Sequence, residues 1–86
     1  MYEVVLSAEA QKIYVSADPA LAKKIARCFE QLEQSPRYHP NIKPLKGDFT
    51  GYYRYRIGDY RVIYQVDDET NQVIVTTIVH RREAYE

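Results

Sequence analysis

Two runs of alternating residues, separated by Gly58-Asp59, constrain this chain more than any other feature. Before the break, Tyr53, Tyr55 and Ile57 alternate with Tyr52, Arg54 and Arg56; after it, Tyr60, Val62, Tyr64 and Val66 alternate with Arg61, Ile63 and Gln65. Period two is the repeat of a β-strand, whose successive side chains leave opposite faces. A two-residue linker of the glycine-aspartate kind closes a tight hairpin and leaves one register. Ile57 then faces Tyr60, Arg56 faces Arg61, Tyr55 faces Val62 and Arg54 faces Ile63. Directly paired residues project to the same side of a sheet. Tyr53, Tyr55, Ile57, Tyr60, Val62 and Tyr64 therefore share an apolar face, and Arg54, Arg56 and Arg61 share the other.

The apolar face needs a cover, and the N-terminal residues supply one. Tyr2 to Leu6 reads as a short strand. Ser7 offers an N-cap hydroxyl to a helix running to about Ser16, with Glu9 near its positive end. Asp18-Pro19 is a second start, aspartate as cap and proline at the first helical position. Leu21, Ile25, Cys28, Phe29 and Leu32 then form one apolar stripe, which Ser35-Pro36 ends. Pro36 to Gly51 reads as a loop punctuated by proline and glycine. A last strand, Val73 to about Val79, follows the polar turn at Asp67 to Asn71. The expected fold is α+β in the order β-α-α-β-β-β, a small antiparallel β-sheet with an N-terminal helical hairpin on one face.

At 86 residues the chain has room for one core and one domain, spanning 1–86. Its single cysteine, Cys28, has no partner for an internal disulfide and falls on the helical stripe, a core position. No apolar run approaches the roughly 20 residues that span a bilayer, and no leader pattern is visible, so a cytoplasmic protein with no membrane partner is expected. Two histidines, His39 and His80, with one cysteine make no metal pattern, and neither metal nor other cofactor is expected. The acidic turn Asp67-Asp68-Glu69 reads as a solvated hairpin tip.

Formal net charge is zero, yet residues 37–66 carry six basic side chains against two acidic ones. That local excess points to a polyanion. Arg56 opposite Arg61 sharpens the point. Like charges across a strand pair cost on the order of 0.2–1 kcal/mol, so stability alone does not ask for the arrangement. A phosphate does, because guanidinium groups hold it with paired, directional hydrogen bonds and stay charged. Solvated arginines neutralised by Asp59, Glu69 or a partner protein are the plainer alternative.

The chain resembles the RelE/ParE superfamily of toxins, the kind encoded beside an antitoxin in bacteria, with its RelE branch the nearer. The resemblance rests on Leu45-Lys46-Gly47, on the run Tyr53 to Tyr64, and on the ending Val79-His80-Arg81-Arg82-Glu83-Ala84-Tyr85. It implies a ribosome-dependent, metal-free endoribonuclease, an mRNA interferase that cuts messenger RNA in the decoding site and so inhibits translation. The ribose 2′-hydroxyl would attack its own 3′-phosphate, and the partners would be a cognate antitoxin, the ribosome and mRNA. Carried over by position, Arg54 and Arg56 match the family's basic hairpin residues and Arg61 its phosphate-stabilising arginine. Arg81 matches a basic residue of phosphate contact or leaving-group protonation, and Tyr85 the tyrosine that orients substrate. Lys43, Lys46 and Tyr52 are further candidates for RNA contact.

One departure from the family pattern bears on mechanism. RNA-cleaving relatives carry lysines where Arg54 and Arg56 stand, and arginine is a poor proton acceptor. His80 is then the nearest group for proton transfer, but on a regular strand His80 and Arg81 face opposite ways. Two other functions share the fold: a ParE-like inhibitor of DNA gyrase that cuts nothing, and a catalytically inactive homologue.

Overall fold

The structure is a computed structural model and describes residues 1–83. Its elements are β1 (Glu3–Leu6), α1 (Ala8–Ser16), α2 (Pro19–Gln34), β2 (Ile42–Pro44), β3 (Tyr53–Ile57), β4 (Tyr60–Asp67) and β5 (Gln72–His80), with short 3-10 turns at Gly47–Phe49 and Arg81–Glu83. Both helix starts are built as their sequences ask. Ser7 Oγ accepts from the Ala10 N–H at 3.0 Å, and Asp18 Oδ1 accepts from Leu21 N–H at 2.8 Å, with Pro19 following. Each cap contributes about 1 kcal/mol. No described helix is long and apolar enough to cross a membrane.

The architecture is the expected α+β order, and two features extend it. Five strands form one sheet in the order β1-β5-β4-β3-β2. β1 runs parallel to β5, pairing Glu3 with Gln72 through Leu6 with Val75, so the sheet is mixed rather than wholly antiparallel. The segment read as a loop contributes the edge strand β2, which pairs Ile42 with Tyr55, Lys43 with Arg54 and Pro44 with Tyr53. A proline fits there because an edge strand has one side of its backbone unpaired.

The helices pack their apolar stripes on one face. Ile25, Cys28 and Leu32 of α2 are fully buried and meet Tyr55, Ile57, Val62, Tyr64, Val73, Val75 and Ile78 of the sheet. Every residue assigned to the apolar face of the hairpin is in that core or packed against it. Leu32→Ala would cost about 2–5 kcal/mol, transfer and cavity together. Burial pushes the Cys28 thiol well above its ordinary value, as suits a core residue. Tyr64 is fully buried; its hydroxyl donates to the Pro36 carbonyl at 2.6 Å, and its ring stacks on Tyr53 at 5.6 Å. That bond ties the end of α2 to the centre of the sheet.

A β-bulge sets the facing of the last strand. Val62 pairs with Ile78 and Ile63 with Thr77, but Tyr64 pairs with Val75, which leaves Thr76 as an extra residue. The parity of β5 therefore inverts at that point. Val73 and Val75 face the helices before it, and Ile78 and His80 do so after it. Ser7 closes over the bulge: its hydroxyl donates to the Thr76 carbonyl at 2.6 Å and its N–H to the Val75 carbonyl at 2.9 Å.

Candidate nucleic-acid interface

The hairpin has the register its two-residue turn dictates. Gly58 takes φ of +55° and Asp59 a negative φ, the sign pattern of a type II′ turn. Arg56 is paired with Arg61, Arg54 with Ile63, and Tyr55 with Val62. Arg54, Arg56 and Arg61 thus lie on the face turned away from the helices, and β2 adds Lys43 to it through its pairing with Arg54.

That face divides into two rows. In the row nearer the sheet centre, Arg54 is 8% exposed, Ile63 1% and Thr77 3%. Arg54 Nη1 donates to the Asn41 carbonyl at 2.7 Å, and that same carbonyl accepts the Arg56 N–H at 2.9 Å. Arg54 is therefore built into the joint between β2 and β3, where burial of a guanidinium demands partners. The Thr77 hydroxyl donates to the Glu9 carboxylate at the start of α1. The second row, at the hairpin end, is open. Arg56 is exposed and Arg61 half-buried. Arg61 Nη1 donates to the Gly58 and Tyr60 carbonyls at 2.9 and 3.0 Å, which bends its side chain back along the turn.

Arg81 joins this open end. Its N–H donates to the Asp59 carbonyl at 2.6 Å, and its Nε lies 3.7 Å from Asp59 Oδ1. Both side chains are about two-thirds exposed (65% and 64%), so the ion pair itself contributes little beyond placement. His80 is not part of the cluster. The bulge turns it to the helix side, opposite Tyr60, whose ring it meets edge-on at 5.4 Å, and its Nδ1 accepts from Arg82 N–H at 3.3 Å. Expecting proton transfer from His80 to a phosphate on the arginine face conflicts with that geometry. Lys46 is exposed just before the 3-10 turn, and Tyr52 is half-buried just before β3. Tyr85 lies outside the described residues. His39 stacks on Tyr55 at 5.2 Å, and no group of three His, Cys, Asp or Glu among the described residues is placed to hold a metal ion.

Among the described residues, the Asp68 carboxylate carries a shifted titration. Asp68 accepts from Arg37 at 3.2 and 2.9 Å and from the Tyr2 hydroxyl at 2.6 Å, and the Arg37 guanidinium holds its carboxyl below the usual range. Arg37 also donates to the Tyr53 hydroxyl at 3.2 Å. The acidic turn is thus a clasp joining the N-terminus, the segment after α2 and the sheet, not the idle tip its composition indicates.

A helical hairpin on one face of a five-stranded sheet, with arginines clustered on the other at the β3–β4 turn, defines a toxin of the RelE/ParE superfamily. The model of the family described as "ParE toxin of type II toxin-antitoxin system, parDE" matches residues 4–85, and the chain belongs to that family. Two curated toxins of Mycobacterium tuberculosis are similar over shorter stretches. RelG is 37% identical over 43 residues, 50% of this chain and 49% of its own, and RelE is 42% identical over 43 residues, 50% and 44%. The matched stretch spans about half the length of these relatives. The archaeal RelE–RelB complex from Pyrococcus horikoshii superposes with a TM-score of 0.81 at 28% identity, covering 96% of this chain and 98% of that one.

Proposed function

We propose that this toxin is a ribosome-dependent endoribonuclease that acts in the cytoplasm, cleaves mRNA in the decoding site and is silenced by a cognate antitoxin. The observation that carries the reading is Arg56 directly opposite Arg61 on the open row, with Arg81 tied to the same turn through Asp59. In the reaction the ribose 2′-oxygen loses its proton and bonds to the adjacent phosphorus. The bond from phosphorus to the 5′-oxygen then breaks, and that oxygen takes up a proton. The products are a 2′,3′-cyclic phosphate and a 5′-hydroxyl. Negative charge gathers on the phosphorane oxygens, and fixed guanidinium groups oppose it without reorganising. Arg56 and Arg61 have that role here. Arg81 has the leaving-group side, Tyr85 orients the substrate, and Lys43, Lys46 and Tyr52 contact the flanking RNA. The solved complex of the RelE–RelB pair from Pyrococcus horikoshii supports the antitoxin as partner.

A second reading has its own support. The matching family is described by ParE, Arg54 is buried in the sheet, and His80 faces the helices. Each suits an inhibitor of DNA gyrase that cuts nothing. Controlled expression beside an Arg61→Ala variant, with new RNA 5′ ends mapped inside translated messages, separates the two. Cuts within codons that vanish in the variant support the nuclease. Growth arrest with intact messages and damaged or abnormally supercoiled DNA supports gyrase.

A further inference from the structure

A second cationic surface lies around the tip of β3 from the open arginine row. A groove holding about 260 Å³ runs between α2 and β3, lined by Lys24, Arg27, Asn41, Tyr55 and Arg56 among others. It exists because β2 stops short: the strand pairing ends at Ile42 and Tyr55, and beyond the Arg56 N–H bond to Asn41 the edge of β3 is uncovered. Beside that edge α2 turns Ile25, Cys28 and Leu32 inward, which leaves Lys24 and Arg27 exposed.

Lys24 and Arg27 are three residues apart on one helix, neighbours of like charge, an arrangement unfavourable to the helix. None of Lys24, Arg27 and Arg56 makes an ion pair with a described residue. Among the described residues, no carboxylate lines the groove, and the nearest are in the adjoining hollow, which Asp18 and Asp59 line. Through Arg56 the groove is continuous with the row that faces Arg61. Its chemistry is thus that of fixed cations beside space along an open edge.

We propose that this groove carries phosphates flanking the cleaved bond, so that one message strand runs from the Arg56–Arg61 row around the tip of β3 and along α2, with Lys24 and Arg27 each holding a phosphate. The inference rests on reading the arginine row as an RNA site. Asp18, in the adjoining hollow, marks where the strand leaves, since a phosphodiester is repelled there.

The test uses the full chain and 2′-O-methyl RNA, which lacks the attacking hydroxyl and is not cut. Binding is followed by fluorescence anisotropy for an oligonucleotide spanning only the site and for versions extended at the 5′ or the 3′ end. Two single-strand phosphate contacts contribute a salt slope of about −1.4. For one of the two extensions, wild-type affinity should therefore fall about sevenfold more between about 50 and about 200 mM salt than that of the Lys24→Ala/Arg27→Ala variant. Lys24→Gln/Arg27→Gln, with an unchanged melting curve, removes charge while keeping a polar, unbranched side chain. Equal gain from extension in wild type and both variants overturns the proposal. So does a variant that keeps the extension gain but loses affinity for message-free ribosomes, because the groove would then serve structured RNA. If Arg61→Ala leaves the short oligonucleotide unaffected while the Lys24 and Arg27 effect persists, the arginine-row reading fails and the groove stands.

Discussion

Replacing Arg56 with threonine sets stability and function against each other in one residue. Arg56 faces Arg61 directly, is exposed, and has no ion pair with any described residue. Arg61 is less suited to the experiment because its guanidinium also bonds to the Gly58 and Tyr60 carbonyls, so its removal changes more than charge. Cross-strand like-charge terms are about 0.2–1 kcal/mol, and solvent exposure favours the lower half, about 0.2–0.5 kcal/mol. Threonine is itself a good strand residue. For a domain of this size the variant should melt about 1–4 °C higher in low salt. The gain should vanish near 1 M salt, where the screening length is about 3 Å. If Arg56 stabilises charge in the transition state, cleavage on ribosomes should fall about 100- to 1000-fold. Thermal melts at both salt concentrations and single-turnover cleavage supply the two readings. A melting point that drops, or a shift indifferent to salt, would refute the repulsion; cleavage within a few-fold of wild type would refute the catalytic role.

Other expectations follow from the same contacts. Tyr64→Phe leaves the buried Pro36 carbonyl without its 2.6 Å donor and should cost about 1–2 kcal/mol, read as a lower midpoint in urea with an unchanged slope. Asp68→Asn breaks the clasp with Arg37 and Tyr2. Because the folded carboxyl titrates below its unfolded value, its contribution is complete above the ordinary carboxylate range and is lost as pH falls through the folded value. The stability difference between wild type and Asp68→Asn should accordingly close on acidification below about pH 4. His80→Gln should leave cleavage within about threefold of wild type and leave its pH profile unchanged, since the ring packs against Tyr60 on the helix side.

The parts of this fold that were legible in the sequence are those fixed by local chemistry. Gly58-Asp59 permits one hairpin register, and that register carries both the apolar face and the Arg56–Arg61 pair. Ser7 and Asp18-Pro19 mark helix starts by capping alone. What escaped depends on pairing between distant segments. In Val73 to Val79 both alternating rows are apolar or threonine, so nothing local marks the bulge at Thr76, and the side His80 takes hangs on it. The parallel pairing of β1 with β5 joins opposite ends of the chain. Periodicity puts Arg54 on the arginine face but does not say how exposed it is; its bond to the Asn41 carbonyl depends on the β2 segment, which was not legible. A signal for the groove was present in Lys24 and Arg27, one turn apart with like charge, but not the strand edge that brings Arg56 beside them.

The most direct measurement observes the guanidiniums themselves. In arginine Nε–Hε nuclear magnetic resonance spectra of the full chain, titration with 2′-O-methyl RNA should shift Arg56 and Arg61 together and leave the His80 ring signals in place. Shifts confined to residues of the helix face, with Arg56 and Arg61 unmoved at saturating RNA, would contradict a phosphate site on the open face of the hairpin.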